Sequence, residues 1–392
     1  MHTLEAARAL IASACHALLP ERVPLADALG RVLRESVAAT EDFPAFDRSA
    51  FDGYALRSTA APGKLRVVSE SAAGSSSDRA LGPGECARIF TGAALPAGAD
   101  AVAMQENCRR DGDNVEIPAI AQWEGVRRRA EDAAAGTVLL HRGTQLGAVE
   151  SSLLAQVGHT QPLVGTPPRI FHVVTGSELV PPDQTPGHGE IRDSNSTLIA
   201  GLIAASGGRL IAGQRAGDDL PKLLAVLSSQ PDFDWDILLI SGGASVGDYD
   251  FGARALRELG FSIHFTQLNL RPGKPLIFAT RGRQLAFVIP GNPLSHFVCW
   301  HVAIRAALEM LLAGETALPL FTLTTTAPLP GNPRETWWPA RLDIAGGKAT
   351  ATPLKWRSSG DMTGISGVDL LLRIPSGSTG IPAGGLVDAL RV

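Results

Sequence analysis

Between about residues 168 and 314 the chain alternates uninterrupted apolar runs with helical patterns, and this alternation limits its possible folds more than any other feature. RIFHVV leads through TGSELVPP to a helix starting at Asp193 or Ser194 and running through NSTLIAGLIAASGG. RLIAGQ leads through AGDD to LPKLLAVLSS, and DILLI through SGGASVGD to FGARALRELG. LAFVI leads through PGNP to LSHFVCWHVAIRAALEMLL. Strands that are apolar on both sides are covered on both faces, and helices between them connect parallel neighbours. The segment is therefore expected to form a doubly wound parallel α/β domain. Ligands of such sheets sit outside the carboxyl ends of the strands.

The flanking sequence reads differently. A chain of 392 residues exceeds one ordinary core, and two or three domains are expected. Residues 3–19 have helical apolar spacing, stopped by Pro20, and 27–38 read as a short helical or extended stretch. Residues 40–58 mix aromatics, acids and small residues, as a functional loop entering the strand FDGYAL would. From 64 to 140, short strands punctuated by Gly, Pro and Asp-Gly point to a small all-β module. A helix at 147–157 and a linker, LVGTPPRI, follow. The tail, 318–392, returns to strands and reads as a small β-barrel or sandwich.

Composition excludes several function classes. The net charge is −4, and the longest basic run, Arg127 to Arg129, is followed at once by Glu131 and Asp132. That argues against nucleic acid, whose binding is dominated by phosphate neutralisation, and leaves room for a small anionic ligand. Cys15, Cys86, Cys108 and Cys299 have no metal-ligand or disulfide spacing, which fits a reducing compartment. No uncharged apolar stretch reaches about 18 residues, and MHTLEAARAL lacks a signal-peptide core. A cytoplasmic chain with no membrane span is the expectation.

The expected ligand loops are Thr175–Glu178, Gly217–Asp219, Ser241–Asp250 and Pro290–Ser295. In the second half of Ser241-Gly242-Gly243-Ala244-Ser245-Val246-Gly247, as in the first, glycine lets backbone N–H groups approach an anion, and a helix start adds partial positive charge. A merely tight turn is the other reading. Glu178, Asp218, Asp219, Asp248 and Asp250 fall on the same side of the domain. Carboxylates beside an anion call for a bridging cation, and Mg²⁺ commonly shares one or two carboxylates with phosphate oxygens. For Asp218 and Asp219, capping the helix at 220 is the alternative. Arg271-Pro272-Gly273-Lys274-Pro275 places two cations in a rigid turn able to hold an oxyanion, unless it is simply a solvated turn. The β module adds Asp52-Gly53-Tyr54, Thr91-Gly92 and Arg127 to Asp132.

Taken in order, FDRSAFDGYAL, IFTGAALPAGADAVAMQE, RRRAEDAAAGTVLL, TGSELV, DSNS, AGDD, SGGASVGDYDF, RPGKPLIF, IPGNPLS and SSGDMTGISGVDLLLRIP resemble the molybdopterin molybdenumtransferase family, the MoeA and gephyrin E-domain type. The resemblance runs from about residue 20 to the end. It implies a multi-domain α/β plus β protein. Residues 1–40 and 141–167 would form a discontinuous linking and dimerisation domain, 41–140 an inserted β module, 168–314 a MogA-like molybdopterin-binding domain and 318–392 a β-barrel-like domain. It further implies a homodimer that inserts molybdate into adenylylated molybdopterin, releasing AMP with the help of Mg²⁺. An adenylyltransferase and molybdoenzymes would be its protein partners.

Carried over, the resemblance makes Asp52, Asp132, Glu178, Asp218, Asp250, Arg271 and Lys274 the catalytic candidates, with Asp218 and Asp250 on the metal. Thr91, Thr175, Ser241, Gly242, Gly243, Ser245, Pro290, Gly291, Asn292 and Ser295 are the ligand-binding candidates. Three positions depart from the family pattern: Gln267 and Arg271 stand where lysines are usual, and the TG[DN]E loop reads Thr175-Gly176-Ser177-Glu178. Two other readings stay open, a Mg²⁺-dependent molybdopterin adenylyltransferase and a pterin-binding dimer without catalysis.

Overall fold

The computed structural model describes residues 1–74, 79–229, 234–243 and 251–392. The chain divides into two compact units. One comprises Met1–Val23, Gly30–Arg34 and Leu163–Val392, and the other Pro24–Leu29 and Glu35–Pro162.

In the larger unit the alternating pattern folds as the sequence implies. A six-stranded sheet has the order Arg209–Ala216, Arg169–Thr175, Ile237–Ser241, Gln284–Ile289, Ile277–Arg281, Ser262–Phe265. Its first four strands are parallel neighbours. Alternate residues then build two cores. Ile170, Ile237, Leu239, Leu285, Phe287 and Ile289 face one side, with helices α1 (Leu4–Ala14), α3 (Asn195–Ala205), α6 (Pro293–Cys299) and α7 (Arg305–Ala313). Phe171, Val173, Leu238, Ile240, Ala286 and Val288 face the other, with α4 (Leu220–Ser228) and α5 (Phe251–Glu258).

Three details differ from expectation. Ile277–Arg281 and Gln284–Ile289 are antiparallel, because only residues 282 and 283 join them and a parallel return needs a crossover. The sequence reads IHFTQLNL as a strand leading into the Arg271–Pro275 turn, but it is not one strand. Ser262–Phe265 stays in the sheet, whereas Leu270–Arg271 pairs in parallel with Glu335–Ala345 of the C-terminal domain. The first helix ends at Ala14 instead of continuing to 19, since Leu18 gives its N–H to Leu311 O at 2.9 Å.

The last long helix is continuous but changes pitch over Trp300–Ile304, a π-helical turn between α6 and α7. The whole run, Pro293–Ala313, is the one described helix long and apolar enough to cross a membrane. As 78% of its apolar window is buried inside the domain, it serves as a core helix.

The tail forms a closed barrel. Glu335–Ala345 pairs with Lys348–Pro353 and with Leu370–Ile374, and Leu386–Arg391 and Leu320–Thr325 complete the ring. Closure leaves the ring no free edge.

The smaller unit carries a six-stranded sheet in the order Ala101–Met104, Gly53–Leu56, Glu85–Ile89, Gly63–Ser71, Asn114–Ile117, Arg109–Asp111. Gly53 is required where the first two strands meet, because a Cβ there would lie 2.0 Å from Ala103 O. Val138–Leu140, an expected strand of the module, pairs instead with Val37–Ala38. Helix α2 (Ala148–Gln156) completes the unit, and Glu150 reaches back to the N–H of Gly147 at 3.0 Å.

Candidate active site

In the larger unit a cavity of about 840 Å³ opens where the sheet's carboxyl edge meets the C-terminal barrel. It is lined by Arg271, Lys274, Arg334 and Arg357, by one carboxylate, Glu178, and by the loop from Pro290 to Ser295. Each part has a local cause. The Arg271–Pro272 peptide is cis, and Gly273 turns at φ +108 with no room for a Cβ against Cys299 Sγ. Lys274 O accepts the N–H of Leu268 at 2.8 Å, closing the turn. Leu270–Arg271 is held to the barrel by its strand pairing and by Arg334, which donates to Leu270 O at 3.1 Å.

The far wall comes from the tail loop 356–360. Asp361 organises it, accepting from the N–H groups of Arg357 and Gly364 at 3.1 and 2.9 Å and from the Thr363 hydroxyl at 2.8 Å. Those donors hold the Asp361 carboxyl below its ordinary range, with the Arg357 N–H the main cause. The Arg271 guanidinium lies 5.4 Å from the centre of the Trp356 ring, which is in turn 5.3 Å from Trp338. A planar, delocalised cation suits that stacking better than an ammonium does. The arginine at this position is thus matched by an aromatic partner.

Beside Gly291 the chain turns at Gly242 and Gly243, both at positive φ. A Cβ on Gly242 would lie 2.5 Å from Thr175 Oγ1, so only glycine fits. Thr175 donates its hydroxyl to Ser241 O at 3.3 Å, and Gly242 gives its N–H to Ile289 O at 2.9 Å. Asn195, at the start of α3, donates to Gly291 O at 2.8 Å, and its own side-chain oxygen is buried without a partner among the described residues. The hydroxyl of Ser241 lies 2.7 Å from His172 Nε2 and 2.8 Å from His296 Nε2, all three side chains being buried. Burial pushes both imidazoles down to about 4, so both are neutral at neutral pH.

The sequence-derived candidates separate into groups. Glu178, Arg271, Lys274, Pro290, Gly291, Asn292 and Ser295 surround the cavity. Thr175, Ser241, Gly242 and Gly243 do not line it; they cluster at the strand ends behind Gly291, whose Cβ direction lies 3.8 Å from Gly242 Cα. Asp219 caps α4 through Lys222 N–H at 2.8 Å, but Asp218 does not cap; it accepts from Ser177 N–H at 2.7 Å. Ser177 lines a smaller neighbouring hollow of about 350 Å³ with Glu190 and Arg215. Ser245, Asp248 and Asp250 lie outside the described residues.

In the other unit, Asp52 accepts from both the N–H and the hydroxyl of Thr91, each at 2.8 Å, joining these two candidates. Those bonds, the backbone one foremost, hold the Asp52 carboxyl below its ordinary range. Asp132 is ion-paired with Arg127.

Arg334, Trp356, Arg357 and Ser358 were not singled out from sequence, although the tail segment SSGDMTGISGVDLLLRIP carries part of the resemblance. Nor were His172 and His296, whose only signal is a polar residue inside an apolar strand and an apolar helix.

Comparison with known proteins agrees with this geometry. Three family models match in order: the MoeA N-terminal region (domain I and II) over residues 2–158, the probable molybdopterin binding domain over 172–310, and the MoeA C-terminal region (domain IV) over 322–392. The molybdopterin molybdenumtransferase of Bacillus subtilis is 30% identical over 387 residues, 95% of this chain and 90% of that protein. That of a Nostoc species is 39% identical over 302 residues, 74% of this chain and 69% of its own length. The crystal structure of a molybdopterin biosynthesis MoeA protein from Pyrococcus horikoshii superposes with a TM-score of 0.84 at 26% identity, covering 100% of both chains. The chain belongs to the molybdopterin molybdenumtransferase family.

Proposed function

We propose that this protein inserts molybdate into adenylylated molybdopterin, releasing AMP and the molybdenum cofactor. The observation that carries the reading is the charge of the cavity: among the described residues, Arg271, Lys274, Arg334 and Arg357 and one carboxylate, Glu178, line it. Molybdate is a compact dianion. Fixed guanidinium and ammonium donors, together with the hydroxyls of Ser295, Ser358 and Ser359, supply directional hydrogen bonds to its oxygens. The glycine turn at Gly242 and Gly243, next to Gly291 of the cavity wall, suits the close approach of a phosphate-bearing pterin.

Such an arrangement works by positioning. The cations draw molybdate to the mouth of the sheet, the glycine turn holds the pterin phosphate, and the sulfur pair of the pterin meets the metal oxyanion between them. One oxo group of molybdate leaves as water with the two dithiol protons as the molybdenum–sulfur bonds form. Water attacks the phosphoanhydride, and as its P–O bond breaks the preorganised donors stabilise the charge moving onto the leaving AMP. Glu178 is placed to accept a proton inside the cavity.

Mg²⁺ is part of the proposal. The exposed carboxylate of Asp218 fits an ion shared with the substrate. Its Oδ1 accepts no hydrogen bond among the described residues. No group of three or more His, Cys, Asp or Glu side chains suited to a metal is assembled there either. Asp218 would hold the ion together with phosphate oxygens and water, with Asp250 as the second proposed ligand. When bound, Mg²⁺ would neutralise charge on the phosphoanhydride. Asp52, Thr91 and Asp132 are proposed to complete the site in a homodimer, and the setting is proposed to be cytoplasmic.

The test is to incubate the protein with adenylylated molybdopterin and Mg²⁺, with and without molybdate, and to follow AMP by mass spectrometry. AMP release that depends on molybdate supports the proposal. Adduct formation from ATP and molybdopterin would assign an adenylyltransferase instead, and tight binding without AMP would leave a carrier.

A further inference from the structure

A strand that alternates faces should bury apolar side chains on its core side, yet this core holds three polar ones in a row. In Arg169–Thr175, His172 follows Ile170 on the face packed against α6, and in Ile237–Ser241, Ser241 follows Ile237 and Leu239 on the same face. His296 comes down from α6 to meet them. All three are buried to within about 1% of full coverage. Buried polar groups are costly unless every hydrogen bond is made, so the pattern of donors can be worked out.

The order is fixed from one end. His296 Nδ1 lies 3.1 Å from the carbonyl of Asn292, which can only accept, so Nδ1 carries the proton. His296 Nε2 is then a bare lone pair, and the Ser241 hydroxyl must donate to it across 2.8 Å. Ser241 Oγ, its proton committed, accepts from His172, so His172 carries its proton on Nε2 at 2.7 Å. The result is a single directional chain, from His172 through Ser241 and His296 to Asn292 O. It needs both rings neutral, in opposite tautomers. Asp193 is the acid whose charge reaches both rings, and His296 acts on His172 in the opposite sense.

The chain joins three loops at the carboxyl edge of the sheet, of which Pro290–Ser295 lines the cavity. His172 lies three residues before Thr175, Ser241 immediately precedes Gly242, and Asn292 is the N-cap of α6 within the Pro290–Ser295 loop. We propose that His172, Ser241 and His296 are positioning residues that hold these three loops in register, so that the anion-binding turn at Gly242 and Gly243 is built before ligand arrives. The part of this proposal that concerns anion binding rests on the function proposed above.

Three measurements test it. With ¹⁵N-histidine label, the nine imidazoles of the intact protein are read by long-range ¹⁵N–¹H correlation, and single His→Gln variants assign the signals. His296 should be the Nδ1–H tautomer and His172 the Nε2–H tautomer. An Nε2 proton on His296 would overturn the order. Second, Ser241→Ala should speed amide exchange at Gly242 relative to strands elsewhere in the sheet. Unchanged exchange in the folded variant would overturn the positioning role.

Third, inorganic pyrophosphate serves as the binding probe. Ser241→Ala and His172→Leu should each weaken it about tenfold. His172→Gln, whose amide N–H can replace the Nε2 donor, should restore binding to within about threefold of the original. Equal weakening by Leu and Gln at matched melting temperatures would reduce the histidine to a packing residue. Should the unaltered protein fail to bind pyrophosphate, the function proposed above fails, and the tautomers and exchange rates still decide the relay.

Discussion

The mouth of the α/β sheet and the acid-bearing edge of the inserted β module are both rich in charge, and they handle it in opposite ways. Among the described residues lining the cavity at the sheet, cations outnumber the one acid, Glu178, and Arg271 lies over Trp356. In the module the acids are already engaged. Asp52 is bound twice by Thr91, Asp42 accepts from Ala135 N–H and Arg129, and Asp132 is paired with Arg127. A carboxylate that accepts backbone N–H bonds is kept ionised and fixed in place. An arginine lining a cavity keeps donors for an incoming ligand. One region therefore looks built to receive an anion, and the other to present fixed carboxylates.

The largest effect expected from this contrast is on catalysis. Arg271→Ala removes a cation from the cavity wall and should lower kcat/KM for molybdate by about a hundredfold or more, the loss typical of one preorganised donor. Arg127→Ala, in the module, frees Asp132 from an exposed pair and should leave the melting temperature nearly unchanged. If the two substitutions cost equal activity with equal stability, the division of labour between the regions is wrong.

Next in size is Gly242→Ala. The new Cβ would meet Thr175 Oγ1 at 2.5 Å and Thr175 O at 2.9 Å in a backbone at φ +90. Strain of about 1–3 kcal/mol is expected, lowering both the melting temperature and the affinity for the pterin nucleotide. Gly92, also at positive φ but with nothing near its Cβ direction, is the control in the module. Alanine there should cost only the backbone penalty.

The regions should also separate on acidification. In the sheet domain His172, His296 and His301 are pushed down to about 4 by burial, from an ordinary value of 6.5. Each ring is neutral in the folded protein, so between those values the unfolded chain binds more protons. Stability of this domain is therefore full above about 6.5 and is lost as pH falls toward 4. In the module Asp42, Asp52 and Glu85 lie below their ordinary values of 3.8 to 4.5, chiefly through backbone N–H bonds. Their contribution is present above those values and is lost only as pH falls through the lower folded ones. Amide exchange from pH 7 to 4 should show protection falling in the sheet strands first. Protection falling in both regions over one window would mean that the buried imidazoles do not govern the acid response.

How much of this was legible in the sequence depends on the range of the interaction. The alternation from RIFHVV to LAFVI states the parallel sheet outright, because each strand and helix carries its own periodicity. The antiparallel edge was missed because IFATR gives the same apolar signal whichever way it pairs. Only the two-residue turn at Gly282 decides its direction. Arg271 and Lys274 were legible as a cationic turn, but their companions Arg334 and Arg357 come from a barrel about sixty and eighty residues further on. Nothing in the sequence brings those together. His172 and His296 were invisible for a related reason: a lone polar residue in an apolar run says that a partner must exist without saying which.

The smallest effect is the most pointed, because it concerns an exchange rather than a loss. Where the family pattern usually has lysine, this chain has Arg271, and the structure supplies Trp356 beneath the guanidinium at 5.4 Å. A cation–π pair at such a partly exposed site is worth about 0.5–1 kcal/mol. Trp356→Leu should therefore raise KM for molybdate about two- to fivefold while leaving kcat and the fold in place. Trp356→Phe, which keeps a ring, should fall between. Arg271→Lys distinguishes partner from position. If the aromatic ring is there to orient a planar cation, lysine should do worse here than arginine, and the further loss caused by Trp356→Leu should shrink in its presence. Were lysine to work better than arginine with Trp356 intact, the ring would be only a wall of the cavity, and the arginine a substitution for which nothing else in the structure accounts.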